Sequence, residues 1–338
     1  MHGVLTDWEA AARRRLDEKA KPPGSLGRLE DLAATLCAIQ RTARPIAAPA
    51  HLVLFAADHG VARAGVTLWP QTVSAAVARA TAAGRSGCAV FARRAGAAVE
   101  VVDVGLNEPL DDAGVVNARV RPGARDMARE AALNVDEFEA ALSAGRAAAQ
   151  RALKKGAKIL IAGDVGIGNT TASAALTAFL CGLDAADAVG EGAGANAATR
   201  ARKREVVALA VRRARLIADD HGMPAAMASV SGLEVAAAAG FYAEAADAGV
   251  CVVLDGAVSG AAALVAERLR PGARRAMIAA SLSPEPSHAH ALSALGLSPY
   301  LDWGLRLGEG AAALLLLPML AAACAMMTDM ADLAELKA

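Results

Sequence analysis

Glu309 stands between two glycines, in Gly308-Glu309-Gly310, directly before a long apolar stretch. Its carboxylate would therefore sit near a helix N-terminus with little side-chain bulk around it, a position that stabilises the anion. Such a group can take a proton from a nitrogen nucleophile. Taken alone, the position fits better a charge that merely complements the helix dipole. A second feature is Gly163-Asp164-Val165-Gly166-Ile167-Gly168-Asn169-Thr170-Thr171, between an expected strand and an expected helix. Glycines there let the backbone approach a ligand, and the helix amides could bind phosphate. The segment has neither a Walker lysine nor a full G-x-G-x-x-G, so binding of a triphosphate or dinucleotide is not supported. An ordinary turn capped by Asn169 or Thr170 fits the pattern equally well.

A second glycine cluster, Gly190-Glu191-Gly192-Ala193-Gly194-Ala195-Asn196, precedes the stretch that carries Lys203. The two loops could flank one phosphate, although a flexible linker and a surface lysine are the plainer expectation. Asp58-His59 could form part of a triad, and His288 with His290 alternate as strand or loop residues do. Neither pair has the partner spacing of a metal site, and no G-x-S-x-G elbow marks a serine hydrolase.

These residues need elements to position them. Five apolar runs read as buried strands of a parallel sheet: His51 to Ala57, Ala98 to Val104, Ala157 to Ala162, Val250 to Leu254 and Arg275 to Ala280. Helices are expected near Gln71 to Arg94, Val135 to Lys155, Thr170 to Cys181, Thr199 to Asp219, Leu233 to Ala246, Ser259 to Arg268 and Gly310 to Met327. The alternation predicts an α/β fold with a doubly wound, mainly parallel sheet flanked by helices. Each strand runs into a polar or glycine-containing segment: Asp58-His59-Gly60, Gly105-Leu106-Asn107, Gly163 to Gly166, Asp255-Gly256 and Ser281-Leu282-Ser283. Ligands of such sheets bind beyond the strand carboxyl ends, so these segments should converge on one cleft. Residues 1 to 45, helical with a Pro-Pro-Gly break, and a helical tail after Met327 are expected to form a small helical subdomain within a single domain spanning 1–338.

Composition narrows the function classes. The 338 residues are 55% hydrophobic but only 3% aromatic, which disfavours stacking platforms for single-stranded nucleic acid. Lys plus Arg number 35 and Asp plus Glu number 35, so no net field attracts nucleic acid or anionic membrane. The five cysteines are scattered without C-x-x-C spacing and read as small buried hydrophobes in a reducing compartment. The first 16 residues mix charges among apolar positions, unlike a signal peptide, and a cytoplasmic location is expected. Ala311 to Met327 carries no charge and approaches the ~20 apolar residues that span a bilayer. It is Ala-rich, contains Pro318 and is flanked by Glu309 and Asp329, so a buried helix is expected instead.

Several motifs, in order along almost the whole chain, resemble the dimethylbenzimidazole phosphoribosyltransferase family of cobalamin biosynthesis. They are Lys21-Pro22-Pro23-Gly24-Ser25-Leu26-Gly27-Arg28-Leu29-Glu30, Phe55-Ala56-Ala57-Asp58-His59-Gly60-Val61, Val102-Asp103-Val104-Gly105 and the Gly163 to Thr171 loop. Ser231-Gly232-Leu233-Glu234, Leu254-Asp255-Gly256, Ser283-Pro284-Glu285-Pro286 and Leu305-Arg306-Leu307-Gly308-Glu309-Gly310 follow. The resemblance implies transfer of the phosphoribosyl group of nicotinate mononucleotide to dimethylbenzimidazole, with inversion at the anomeric carbon and Glu309 as general base. It also implies substrate contacts from Asp164, Gly166, Gly168, Asn169, Thr170, Thr171, Gly190, Gly192, Lys203, Ser283 and Leu307. No cofactor or metal is implied, and the partners are two small molecules and a second copy of the chain in a homodimer. The chain has Asp164 where the family commonly has Glu, Ser281 where it commonly has His, and Ala311 where it commonly has Thr or Ser. These departures leave open a different acceptor, such as another base or a phenol, or a non-catalytic nucleotide sensor.

Overall fold

The structure, a computed structural model, describes residues 7–337. In chain order the elements are α1 (Asp7–Asp17), α2 (Arg28–Gln40), β1 (Ala50–Ala57), α3 (Thr72–Ala82), α4 (Gly87–Ala95), β2 (Ala98–Gly105), β3 (Val115–Asn117), α5 (Val135–Lys154), β4 (Ile159–Val165) and α6 (Asn169–Cys181). They continue with α7 (Ala185–Ala188), α8 (Ala197–Val230), α9 (Leu233–Asp247), β5 (Cys251–Leu254), α10 (Ala257–Leu269), β6 (Met277–Ala279), α11 (Pro286–Leu295) and α12 (Ala311–Thr328). All strand pairings are parallel, and the sheet order is β3-β2-β1-β4-β5-β6. The chain winds outward from β1 through β3, then returns to the other side of β1 with β4. The β1/β4 boundary is thus the switch point where such sheets open a ligand crevice.

Both faces of the sheet are covered, which explains why the strands read as continuous apolar runs. Val53, Phe55, Leu160, Ala162, Val252 and Leu254 face one core, shared with α5, α6, α8, α9 and α10. Leu52, Ile159, Ile161, Cys251 and Val253 alternate with them and face the other, shared with α1, α2, α4 and α12. Few aromatics are needed because small residues let helices approach closely. A Cβ on Gly145 of α5 would lie 2.6 Å from the Ala237 carbonyl carbon of α9, and one on Gly240 of α9 would lie 2.7 Å from that of Leu142. Helix α12 is long and apolar enough to cross a membrane, yet 61% of it is buried inside the fold, as a core helix would be.

The sequence expectation differs from the structure at several elements. The single helix over Gln71 to Arg94 is two, α3 and α4, because Gly84 adopts φ 71° and Ser86 starts a new helix by accepting the Ala89 N–H. Helix α8 runs past Asp219 to Val230 across a break at Gly222, whose φ of 82° and ψ of 173° precede Pro224. The strand expected from Arg275 begins at Met277, after a 3-10 turn over Ala273–Ala276. Strand β3 was not anticipated; its three residues are too few for a periodic signal. The tail after α12 is mostly extended and turn rather than helical, with one 3-10 turn at Glu335–Lys337. It runs beside Lys19, whose Nζ donates to the Met330 carbonyl at 2.8 Å and pairs with Asp332 at 2.8 Å.

Candidate active site

Beyond the carboxyl ends of β4, β5 and β6 lies a cavity of about 430 Å³, closed on its other sides by α3, α4, the 302–309 loop and the start of α12. Its walls include Asp164, Gly166, Asn169, Thr170, Gly192, Ser283, Leu307 and Glu309, so most of the expected site residues converge. Gly168 and Lys203 line a smaller recess of about 60 Å³ that shares Gly166, Asn169, Thr170 and Gly192 with it. Thr171 and Gly190 line neither. Thr171 is fully buried in α6, and Gly190 lies against the Glu285 side chain, 2.5 Å from Oε1 at the position a Cβ would take.

Glu309 is held by its backbone. It adopts φ 62°, a left-handed conformation rare for a residue with a side chain, between Gly308 at 77° and Gly310 at 82°. The turn presses against β4 so closely that a Cβ on Gly163 would lie 2.6 Å from the Glu309 carbonyl carbon. The carboxyl group is 8% exposed, and its Oε2 has no hydrogen-bond partner among the described residues. Burial raises its pKa above the ordinary value, opposed by hydrogen bonds from the Cys88 thiol and backbone N–H. Cys88 is in the first turn of α4, so the backbone N–H that acts on Glu309 belongs to that helix. The N-terminus of α12, where the sequence placed Glu309, is instead capped by Asp255. Its carboxylate accepts the N–H groups of Gly310, Ala312 and Ala313 at 3.2, 2.6 and 3.3 Å. The Asp255 pKa is pushed up to about 6 by burial, with those backbone bonds pulling the other way.

Asp164 stands in the cavity wall among other carboxyl groups. Burial, then the charges of Asp255, Glu234 and Glu309, raise its pKa well above the carboxylate range, against the Asn169 amide that donates to Oδ1 at 2.8 Å. These surroundings favour its protonated, neutral form. Asn169 therefore serves Asp164 and not the helix end; the N-cap of α6 is Gly168.

The two glycine loops meet around Lys203. This lysine is 1% exposed, not a surface residue, and its Nζ donates to Thr170 Oγ1 at 2.8 Å and lies 3.8 Å from Glu285 Oε2. Burial lowers its pKa, opposed by Glu285. Glu285 Oε1 also accepts the Gly192 N–H at 2.6 Å, tying the second loop to the first. Glu191, at the edge of the recess that Lys203 lines, pairs with Arg200 at 3.2 Å. A cation, a hydroxyl, loop amides and the α6 N-terminus thus gather at one place, a constellation suited to a phosphate.

The resemblance implies an apolar pocket around the base, but most of the residues that form it are not singled out by the sequence. Val73, Val77, Phe91, Leu305 and Leu315 line the cavity with Leu307, and the Trp69 side chain bridges to the other loop through Nε1–H donated to the Ala193 carbonyl at 3.2 Å. Nothing in a linear reading separates these from other buried hydrophobes, and no signal short of the fold would have found them. Glu285 was visible within Ser283-Pro284-Glu285-Pro286, yet its connection to Lys203 was not. The two histidines expected in strand or loop sit in α11, and His288 Nδ1 accepts the Ser283 N–H at 3.0 Å, a bond within the scaffold. Of the three departures, Ser281 Oγ donates to the Asp255 carbonyl at 3.2 Å and lines the cavity with Asp164 and Ala311.

The sequence matches a family model described as phosphoribosyltransferase, DBI_PRT, over residues 1–337. It is 44% identical over 325 residues to the nicotinate-nucleotide–dimethylbenzimidazole phosphoribosyltransferase of Chromobacterium violaceum, covering 96% of this chain and 94% of that protein. To the protein of the same name from Thermus thermophilus it is 45% identical over 315 residues, 93% of each. A crystal structure of CobT from Thermus thermophilus superposes with a TM-score of 0.94 at 43% identity, covering 98% of this chain and 99% of that one.

Proposed function

The chain belongs to the dimethylbenzimidazole phosphoribosyltransferase family, and from that premise we propose how its cavity performs the family's reaction. The enzyme is a pentosyltransferase acting on small molecules. It transfers the phosphoribosyl group of nicotinate mononucleotide to dimethylbenzimidazole, giving nicotinate and α-ribazole 5'-phosphate for the cobalamin lower ligand. The observation that carries the assignment of the base is the buried Glu309 carboxylate with an unpartnered oxygen at the wall of a cavity lined by Val73, Phe91, Leu305 and Leu315. One benzimidazole nitrogen attacks the anomeric carbon as the bond to the pyridinium nitrogen breaks. The electron pair of that bond neutralises the pyridinium, so the leaving group needs no acid. Glu309 takes the proton from the other nitrogen, and burial among apolar groups keeps the carboxylate basic enough to do so.

The phosphate is held by the Gly166 to Thr170 segment with Gly192 and Lys203, and Ser283 and Asn169 complete the polar wall with Asp164. Binding both substrates in one closed cavity supplies the proximity that the attack requires. Nicotinate release from nicotinate mononucleotide should occur only when the acceptor is present. Glu309→Gln should suppress turnover while both ligands still bind; full activity in that variant would remove Glu309 as the base. Product masses from a panel of benzimidazoles, adenine and phenols would define the acceptor, and binding of both ligands without any product would favour a sensor.

We also propose that the enzyme works in the cytoplasm as a homodimer. Pro318, Met319, Ala321, Ala322 and Ala325 give α12 an exposed face without charge, which a second copy would cover. Mass measured by light scattering during gel filtration tests this, and a single-chain mass at micromolar concentration would refute it.

A further inference from the structure

Among the motifs this mechanism leaves unused are Asp58-His59-Gly60 at the end of β1 and Ser231-Gly232-Leu233-Glu234 at the corner between α8 and α9. The structure joins them: His59 Nε2–H donates to Glu234 Oε1 at 2.8 Å, and the two side chains are 1% and 0% exposed. Burial works against charge on His59, but the charge and hydrogen bond of Glu234, and the charge of Asp58, outweigh it and raise the histidine's pKa. Glu234 and Asp58 thus favour the protonated ring against the effect of burial.

The ring lies directly behind the β4–α6 loop. A Cβ on Gly166 would be 3.1 Å from Nε2, and one on Gly168 would be 3.2 Å from the His59 Cβ. On the far side, a Cβ on Gly232 would be 2.7 Å from Glu234 Oε2 and closer still to the ring. Glycines thus enclose the ring where no side chain fits. The frame continues into α3: Gln71 Nε2–H donates to the His59 carbonyl at 2.7 Å, and Ser74 Oγ accepts the Ile167 N–H at 3.0 Å.

We propose that His59 and Glu234 are positioning residues for the phosphate loop, His59 supporting Gly166 and Gly168 from behind with the imidazole end of the pair on the loop side and the carboxylate end away from it. The proposal rests on the assignment of the phosphate to this loop. Dipoles and charges behind a loop act on a bound anion as a helix N-terminus does, without touching it.

The test is the double variant His59→Gln/Glu234→Gln, which keeps a hydrogen-bonding pair of similar size but removes both charges. Its dissociation constant for nicotinate mononucleotide should rise about tenfold, the scale of a partly buried charge–dipole interaction, while that for dimethylbenzimidazole alone stays unchanged. An unchanged nucleotide constant, or equal weakening of both ligands, would overturn the proposal. Should the double variant melt early, Glu234→Gln alone gives the same reading, because it keeps the ring in place and removes the countercharge that holds its proton. Lys203→Met separates the premises. If it leaves nucleotide affinity intact, the phosphate assignment and this proposal both fall. If it weakens the nucleotide and the double variant does not, only the positioning by His59 falls.

Discussion

Gly163→Ala offers a test of how the base is held, because position 163 touches the backbone of Glu309 and not its carboxylate. The added Cβ would stand 2.6 Å from the Glu309 carbonyl carbon and closer to the oxygen. Ordinary carbon contacts begin near ~3.5 Å, so strand and turn must separate by about 1 Å. Strand β4 is central, paired on both sides with β1 and β5, and the turn is the element with room to move. Overpacking of this kind costs roughly 1–3 kcal/mol of stability. A displacement of about 1 Å at a reacting group can cost on the order of 10²-fold in rate. Steady-state kinetics with nicotinate mononucleotide and dimethylbenzimidazole should therefore show kcat reduced by about 10²-fold with KM for the nucleotide little changed, since the phosphate loop is untouched. A thermal melt run alongside measures the stability loss. If the variant melts lower yet keeps kcat within about twofold of the parent, the claim that the strand positions the base through its backbone fails.

Other outcomes follow from the same geometry. Glu309→Gln should lose roughly 10²–10⁴-fold in kcat, and the acid limb of the parent's pH–rate profile should lie above the ordinary value of 4.5, because the active form is the carboxylate and burial raises its pKa. Since burial and the neighbouring carboxylates favour the protonated form of Asp164, Asp164→Asn should keep kcat/KM within about tenfold of the parent, and a far larger loss would show that the charged form is needed. His288, whose Nδ1 accepts a backbone N–H, has its pKa lowered from 6.5 to about 4 by burial. Its folded value lies below its unfolded one, so its stabilisation is full above pH 6.5 and is lost as pH falls through about 4. That amounts to roughly 3 kcal/mol, and urea melts at neutral and acid pH should show a smaller pH effect for His288→Asn.

The places where sequence reasoning fell short have particular causes. Lys203 reads as one cation among many in a basic helix, but packing of α8 against α6 buries it beside Thr170. Glu309 reads as a charge at the start of α12, but Asp255 from the neighbouring strand takes the α12 amides and leaves Glu309 facing α4. The histidine of Asp58-His59 looked like a weak triad fragment; its partner, Glu234, is 175 residues away, beyond any local pattern. The cavity's apolar wall comes from α3, α4, the 302–309 loop and α12, each ordinary by itself.

What the sequence determined alone is the kind of architecture and the address of the site. Apolar runs alternating with helical stretches require a parallel sheet covered on both faces, and glycine-rich segments after the strands must then lie along one edge. The ordered motifs from Lys21 to Gly310 pointed to the family. What only the tertiary structure decided is the state of each group at that edge. The direction in which the pKa of Glu309, Asp164, Lys203 and His59 is moved depends on desolvation and on partners brought from distant strands and helices. These are properties of the assembled surroundings, since a carboxyl group or an imidazole carries no record in the sequence of the dielectric and the charges it will meet.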